Sequence, residues 1–201
     1  MKEENFNSNN IINNIFLNLE KAAVDRKHDY HNCIFSNLDL NNQPTSRTVV
    51  LRSFNQKDNL LTFHTDYRSI KIKEIEKNNN CIILFYSETL KQQLRIKVLA
   101  SIQNNNLITK KAWEKTQLMS RKCYLSSLPP GTEIKDSWDG LSNKLIGKEP
   151  TKNESEIGYK NFSVIVNKII SIDWLYLSSS GHKRLLFNWK NGKRTDKWMI
   201  P

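Results

Sequence analysis

The sequence lacks the short motifs that mark the commonest enzyme chemistries. It has no G-x-G-x-x-G, no Walker phosphate loop, no G-x-S-x-G and no metal-ligand cluster. Hydrolase and NTPase readings therefore have no support, and no metal is expected. Cysteine is scarce: Cys33, Cys81 and Cys123 lie far apart and form no C-x-x-C pair. That spacing argues against a zinc site or a disulfide framework and fits a reducing, cytoplasmic setting. Cys33 and Cys81 fall in apolar runs and are expected in the core. No run approaches a membrane-spanning length, and Met1-Lys2-Glu3-Glu4-Asn5 is polar, without an apolar signal region. Neither secretion nor membrane insertion is expected. Zinc-finger spacing, RNA-binding aromatic motifs and a basic zipper are also missing.

What the chain does have is positive charge. Its 201 residues carry a formal net charge of +11. Such a balance suits a phosphorylated ligand, nucleic acid or an acidic surface. The excess is mostly lysine, dispersed and often beside asparagine, which reads as a solvated surface rather than a nucleic-acid stripe. The length is enough for one domain with a sizeable core, and residues 1–201 are read as one domain.

Residues 1–28 contain a first helix, capped by Ser8 or Asn9. Its apolar stripe is Ile12, Ile15, Phe16, Leu19 and Ala23. The period then shortens to that of strands, at residues 32–38, 46–54, 59–64, 81–86 and 92–102. Asn41-Asn42-Gln43-Pro44 and residues 55–58 are turns, and residues 71–77 form a short helix. A helical stretch covers residues 108–125 and is broken at Leu128-Pro129-Pro130-Gly131. Residues 133–156 read as a long polar loop with a short helix, a candidate lid. Strands return at residues 162–166, 169–177 and 184–189 and near Trp198, with Asn191-Gly192 as a hairpin turn. The pattern predicts a mainly β, α+β fold: an antiparallel sheet or barrel with peripheral helices.

Four segments could carry chemistry. Thr65-Asp66-Tyr67-Arg68-Ser69-Ile70-Lys71 joins a strand to a helix start, where unpaired N–H groups and the dipole favour an anion. Its groups serve equally for a phosphate seat or for a helix capped by Ser69 with solvated basic residues. In Ser46-Arg47-Thr48-Val49-Val50-Leu51-Arg52, two arginines bracket a β-branched run. Five residues apart, they reach one ligand only at a strand end or across a twist; otherwise they are the solvated ends of an edge strand. Gln93, Arg95 and Lys97 alternate with Leu94, Ile96 and Val98, and the Gln93 amide can both donate and accept. His182, at a strand entrance, is either a surface residue or an acid, base or ligand contact. Trp113, Trp174, Trp189 and Trp198 are expected in the core or an interface.

Taken in order, these segments resemble the pyridoxamine 5′-phosphate oxidase family, a split β-barrel that binds flavin mononucleotide (FMN). Arg47-Thr48-Val49-Val50-Leu51-Arg52 is similar to its R-x-V-L-L-K strand. Phe63-His64-Thr65-Asp66 with Arg68, Ser69 and Lys71 is similar to its F-Y-T-N…S-R-K segment. Gln93 stands in a strand like its R-Q-V, and His182-Lys183-Arg184 resembles its H-x-R. The resemblance implies that Arg47 and Lys71 hold the FMN phosphate, with Thr65, Arg68 and Ser69 beside them. It implies further that Thr48, Val49, Val50, Leu51, Arg52 and His64 belong to the flavin site, that Gln93 meets the ring edge and that Arg184 reaches the cofactor. Arg52, Trp113 and His182 are the implied substrate contacts.

The implied partner is a second copy, with the cofactor at the dimer interface and a small phosphorylated, vitamin B6-like substrate. Neither nucleic acid nor a membrane is implied. The implied reaction is hydride transfer from an amine- or alcohol-bearing carbon to flavin N5, with dioxygen as reoxidant and no protein nucleophile. A flavin reductase and a non-catalytic flavin- or ligand-binding module are the alternatives. The sequence departs from the family pattern at Ile70, Leu175 and Ser180, where the family has arginine, tryptophan and arginine, and at Tyr159-Lys160-Asn161-Phe162, where it has W-G-G-F.

Overall fold

A computed structural model describes residues 6–201. The first helix, α1 (Ser8–Val24), begins one residue earlier than the capping pattern suggests. The Asn7 side chain accepts a hydrogen bond from the Asn10 amide at 2.8 Å, and Ser8 is already helical. Ile11, Ile12, Ile15, Phe16, Leu19 and Ala22 are its buried face. Phe16 packs on Phe54 with ring centroids 5.1 Å apart, which seats the helix against the sheet.

Nine strands follow among the described residues: β1 (Asn32–Leu38), β2 (Pro44–Val50), β3 (Ser53–Asn55), β4 (Leu60–Asp66), β5 (Asn80–Ser87), β6 (Gln92–Asn104), β7 (Phe162–Tyr176), β8 (Lys183–Lys190) and β9 (Lys193–Met199). All pairings are antiparallel, in the order β2-β1-β5-β6-β7-β4-β3, with β8 on β7 and β9 on β8. The remaining helices are α2 (Lys71–Lys77), α3 (Leu107–Lys115), α4 (Leu118–Arg121) and α5 (Lys152–Glu156), with 3-10 turns between them. The result is a split β-barrel with peripheral helices: the strand pattern predicts an antiparallel sheet or barrel, and the family resemblance implies the split form.

Two departures from the sequence reading shape the barrel. Residues 46–54 are not one strand. The Leu51 amide still donates to His31 O, on the β1 side, but the Arg52 amide donates to Thr62 O of β4. The chain thus changes partners at Leu51 and Arg52, and Arg52 lies beyond the regular strand. Conversely, residues 162–166 and 169–177 are not two strands. β7 runs unbroken because Asn167, fully buried, donates its side-chain amide to Leu61 O and Ile165 O. Opposite it, the register slips between Lys97 and Val98, leaving Ile170 extra; such bulges bend a strand and sharpen its twist. β7 can therefore pair with β4 by its first half and with β8 by its second.

The helical stretch of residues 108–125 is likewise broken, at Thr116 and Gln117, into α3, α4 and a 3-10 turn at Lys122–Leu125. At the β8–β9 turn, Asn191 and Gly192 both have positive φ (51° and 74°), the geometry of a tight hairpin turn.

The main core lies inside the barrel. Its central cross-strand row is Phe35, Ile83, Ile96, Ile172 and Phe187, all 0% exposed. Cys33 and Cys81 are buried with it. A second cluster, Trp113, Tyr124, Phe162 and Val164, seats α3. Among the described residues, no helix is long and apolar enough to cross a membrane.

Candidate functional site

The residues singled out by sequence fall into two groups and a cleft. The first group surrounds Arg47. Its neighbour in the register is Phe35, so the side chain leaves the core row at the sheet's edge. The guanidinium donates to Asn37 Oδ1, to Thr45 Oγ1 at 3.2 Å and to Glu74 Oε2 at 3.3 Å. Lys71, the first residue of α2, donates from Nζ to Thr65 Oγ1 at 2.9 Å. Burial, and then the Arg47 charge, lower the Lys71 pKa, while Asp66 and Glu74 partly oppose the shift. A lysine destabilised by a neighbouring cation gains from an anion, so this cluster fits a phosphate.

The rest of the β4–α2 turn has other work. Ser69 is not the helix cap: Ile70 occupies that position and no side chain caps the helix. Ser69 is instead buried, with its amide donating to Asp66 O at 3.1 Å. Arg68 grips the Asp66 carboxylate with Nε (3.0 Å) and Nη2 (2.7 Å) and donates from Nη1 to Ser126 O at 2.9 Å. It ties the turn to the segment after α4. Since α2 has only seven residues, the anion preference comes from the side-chain cations more than from a helix dipole.

The second group lies on the outer face of the sheet. Gln93 pairs with Tyr86 and Leu175, and Leu175 with Arg184. Arg184 holds the Asp173 carboxylate through Nε (2.9 Å) and Nη2 (2.8 Å), and Arg95 bonds it from the other side. The Arg184 hydrogen bonds above all keep the Asp173 carboxyl below its ordinary range. Gln93 and Arg47 are separated by three inter-strand gaps, roughly 14 Å across the strands, with Gln93 three residues further along from Ile96 in Arg47's row, and they face opposite sides. One chain does not bring the two groups together. Val49 and Leu51 pack on the core, whereas Thr48, in register with Ile34, faces outward with Val50.

Between the end of α1, β4 and α3–α4 runs a cleft of about 550 Å³. Arg26, Arg52, Lys111 and Lys115 line it, with His31, His64, Thr116, Gln117 and Ser120, and among the described residues no carboxylate does. Arg52 Nε and His64 Nδ1 are buried there without hydrogen-bond partners among the described residues. Buried polar atoms are nearly always paired, so two unpaired ones in one cleft wall mark it as a candidate site. Burial, then the Arg52 charge, push the His64 pKa down to about 3. His64 is therefore a neutral imidazole at pH 7, set edge-on to Phe162 with ring centroids 4.8 Å apart.

A larger cavity of about 740 Å³ beside Trp113 and Arg121 is less suited to a ligand. Arg121 already donates to Thr116 O, Ser155 Oγ, Glu156 Oε1 and Trp113 O. Trp113 itself does not line the cationic cleft. It is 2% exposed, and its indole N–H donates to Glu156 Oε2 at 3.1 Å. His182 is exposed and accepts from the Ser178 amide at 3.0 Å, shaping its own turn. Arg26, Lys111 and Lys115 are the site residues that sequence reasoning missed. Lys111 and Lys115 stand four apart on a helix, a spacing that reads as a solvated face until the fold places it over a cleft.

Residues 14–103 match the family model described as pyridoxamine 5′-phosphate oxidase, FMN-binding domain. A pyridoxine/pyridoxamine 5′-phosphate oxidase of Christiangramia forsetii is 27% identical over 161 residues, covering 78% of this chain and 70% of that protein. Pyridoxine/pyridoxamine 5′-phosphate oxidase 2 of Hydrogenovibrio crunogenus is 26% identical, covering 73% of this chain and 63% of that protein. Among solved structures, a pyridoxamine 5′-phosphate oxidase-related, FMN-binding protein of Nostoc punctiforme superposes with a TM-score of 0.73 at 19% identity, covering 94% of this chain and 96% of that one. At such identities the structural likeness establishes the fold.

Proposed function

We propose that this chain is a member of the pyridoxamine 5′-phosphate oxidase family and acts as an FMN-dependent oxidoreductase on a small anionic substrate, a reading supported by the match of residues 14–103 to the family's FMN-binding domain. The observation that carries the reading is the Arg47–Lys71 cation cluster, with Thr65 Oγ1 bonded to Lys71. Arg47, Lys71 and Thr65 would hold the FMN phosphate. Bound there, FMN would supply the redox chemistry, as hydride acceptor for an amine- or alcohol-bearing carbon with dioxygen as the reoxidant.

The chain's own residues bind and orient. Arg26, Arg52, Lys111 and Lys115 draw an acidic substrate group into the cleft. The Arg52 guanidinium stands in the cleft wall to pair with it, and neutral His64 lies beside it without adding charge. Ile108, Ala112 and Val164 give the cleft an apolar side that limits water.

The placement of Gln93 and Arg184 supports a homodimer. They lie on the outer sheet face beside Ile34, Ile82 and Tyr86, which are 42%, 36% and 54% exposed. A cofactor that meets both the Arg47 group and the Gln93 group needs a second copy of the chain.

The activity test is oxygen consumption by holo-protein with pyridoxamine or pyridoxine 5′-phosphate, expected to yield hydrogen peroxide. No turnover of either compound would remove the named activity. Reduction by NAD(P)H in that case would favour a flavin reductase. A non-catalytic flavin-binding module is the second reading, favoured by the burial of Trp113 away from the cleft. A flavin that stays oxidised with every donor would support it.

A further inference from the structure

Glu74 is a carboxylate in an unexpected place. It sits on α2 one turn beyond Lys71, is only 5% exposed, and lies beside the two cations assigned to a phosphate. A buried negative charge there repels the anion that the site is meant to hold. Its contacts suggest a compensating role. Glu74 Oε2 accepts from Asn37 Nδ2 at 2.9 Å and from Arg47 Nη2 at 3.3 Å. Asn37, also 5% exposed, accepts from Arg47 Nη1 and donates to Leu38 O at 2.8 Å. Thr45 Oγ1 takes a further bond from Nη2. Acceptors from β1, β2 and α2 thus fix Nη1 and Nη2 together. An unrestrained arginine side chain would lose considerable rotamer freedom on binding a ligand.

We propose that Glu74 is a positioning residue for the cofactor phosphate. With Asn37 it locks the Arg47 guanidinium beside Lys71 before the ligand arrives, and the phosphate contact is stronger for it. The inference rests on the reading that the FMN phosphate sits at Arg47 and Lys71. It makes a prediction of definite sign. If Glu74 acted by charge alone, Glu74→Gln would tighten FMN by removing a repulsion. If Glu74 positions Arg47, the same change loosens FMN, because the charged clasp on the guanidinium is weakened.

The test is the dissociation constant of FMN and of riboflavin, which lacks the phosphate, for the full-length chain stripped of flavin. Wild type, Glu74→Gln, Arg47→Ala and the double variant are compared. Glu74→Gln is expected to weaken FMN by about tenfold, to leave riboflavin unchanged, and to add nothing once Arg47 is alanine. FMN binding that is unchanged or tighter overturns the proposal. So does an equal loss for riboflavin, which marks a general structural role, or full additivity with Arg47→Ala. A wild type that binds FMN no better than riboflavin removes the phosphate seat itself, and the Glu74 role with it. Should Glu74→Gln fail to fold, Asn37→Ala removes the other half of the clasp and carries the same expectations.

Discussion

Lys71 Nζ and Thr65 Oγ1 are 2.9 Å apart, joining the first residue of α2 to the β4 strand that precedes it. The pair spans the turn where the sequence suggests an anion seat, and Arg47 closes it from β2. Arg47→Ala or Lys71→Ala should each remove one charge-assisted contact, lowering FMN affinity by roughly 1.5–3 kcal/mol. Titration of flavin fluorescence measures this. Unchanged affinity in both variants would remove the phosphate seat.

His64 gives the fold a pH signature. Its folded-state pKa of about 3 lies below the ordinary histidine value. Between about pH 6.5 and pH 3 the unfolded chain takes up a proton that the folded chain refuses, so stability falls as pH falls through that window. The slope from this residue approaches about 1.4 kcal/mol per pH unit. Urea midpoints at several pH values between 4 and 7 should show a shallower dependence in His64→Gln than in wild type. Carboxylates common to both proteins cancel in the comparison, and parallel curves would contradict the burial of a neutral His64.

Lys111 and Lys115 line the cleft and are not part of the Arg47–Lys71 cluster, so replacing them tests the cleft alone. Lys111→Ala with Lys115→Ala should raise KM for pyridoxamine 5′-phosphate, or for whatever acidic substrate is turned over, by about tenfold. FMN retention should be unaffected. The salt dependence of KM should also flatten, because two screened attractions are gone. A double variant that loses FMN and keeps KM would assign the lysines to the cofactor instead.

Leu84 tests the assembly. It sits on the outer face between Ile34 and Arg95 in the cross-strand register. Leu84→Lys should place a charge in the interface, shift the chain to monomer in light scattering and weaken FMN binding in parallel. A variant that stays dimeric, or becomes monomeric with full FMN affinity, would break the link between the second copy and the site.

Much of the fold was legible in the sequence. The bounds of β1 and α2 follow from strict alternation and from a short amphipathic run between turns. What escaped notice has identifiable causes. Asn167 and Lys168 fall between two expected strands, yet Asn167 is buried in mid-strand because its amide finds two carbonyls. Leu51 and Arg52 follow the β-branched run without a turn signal, yet the chain changes strand partners there, a tertiary event with no local signal. Ser69 resembles a cap, but the turn is organised by Asp66, which engages the Arg68 side chain and backbone amide. The cleft was hidden because Arg26 and His31, Arg52, and Lys115 lie in three separate stretches of sequence that meet only in the folded chain.

The most direct test of FMN binding is the visible absorption spectrum of the purified protein, with mass identification of any chromophore released on denaturation. The account predicts a flavin spectrum and a released mass equal to that of FMN. A colourless protein that also takes up no added FMN would contradict it.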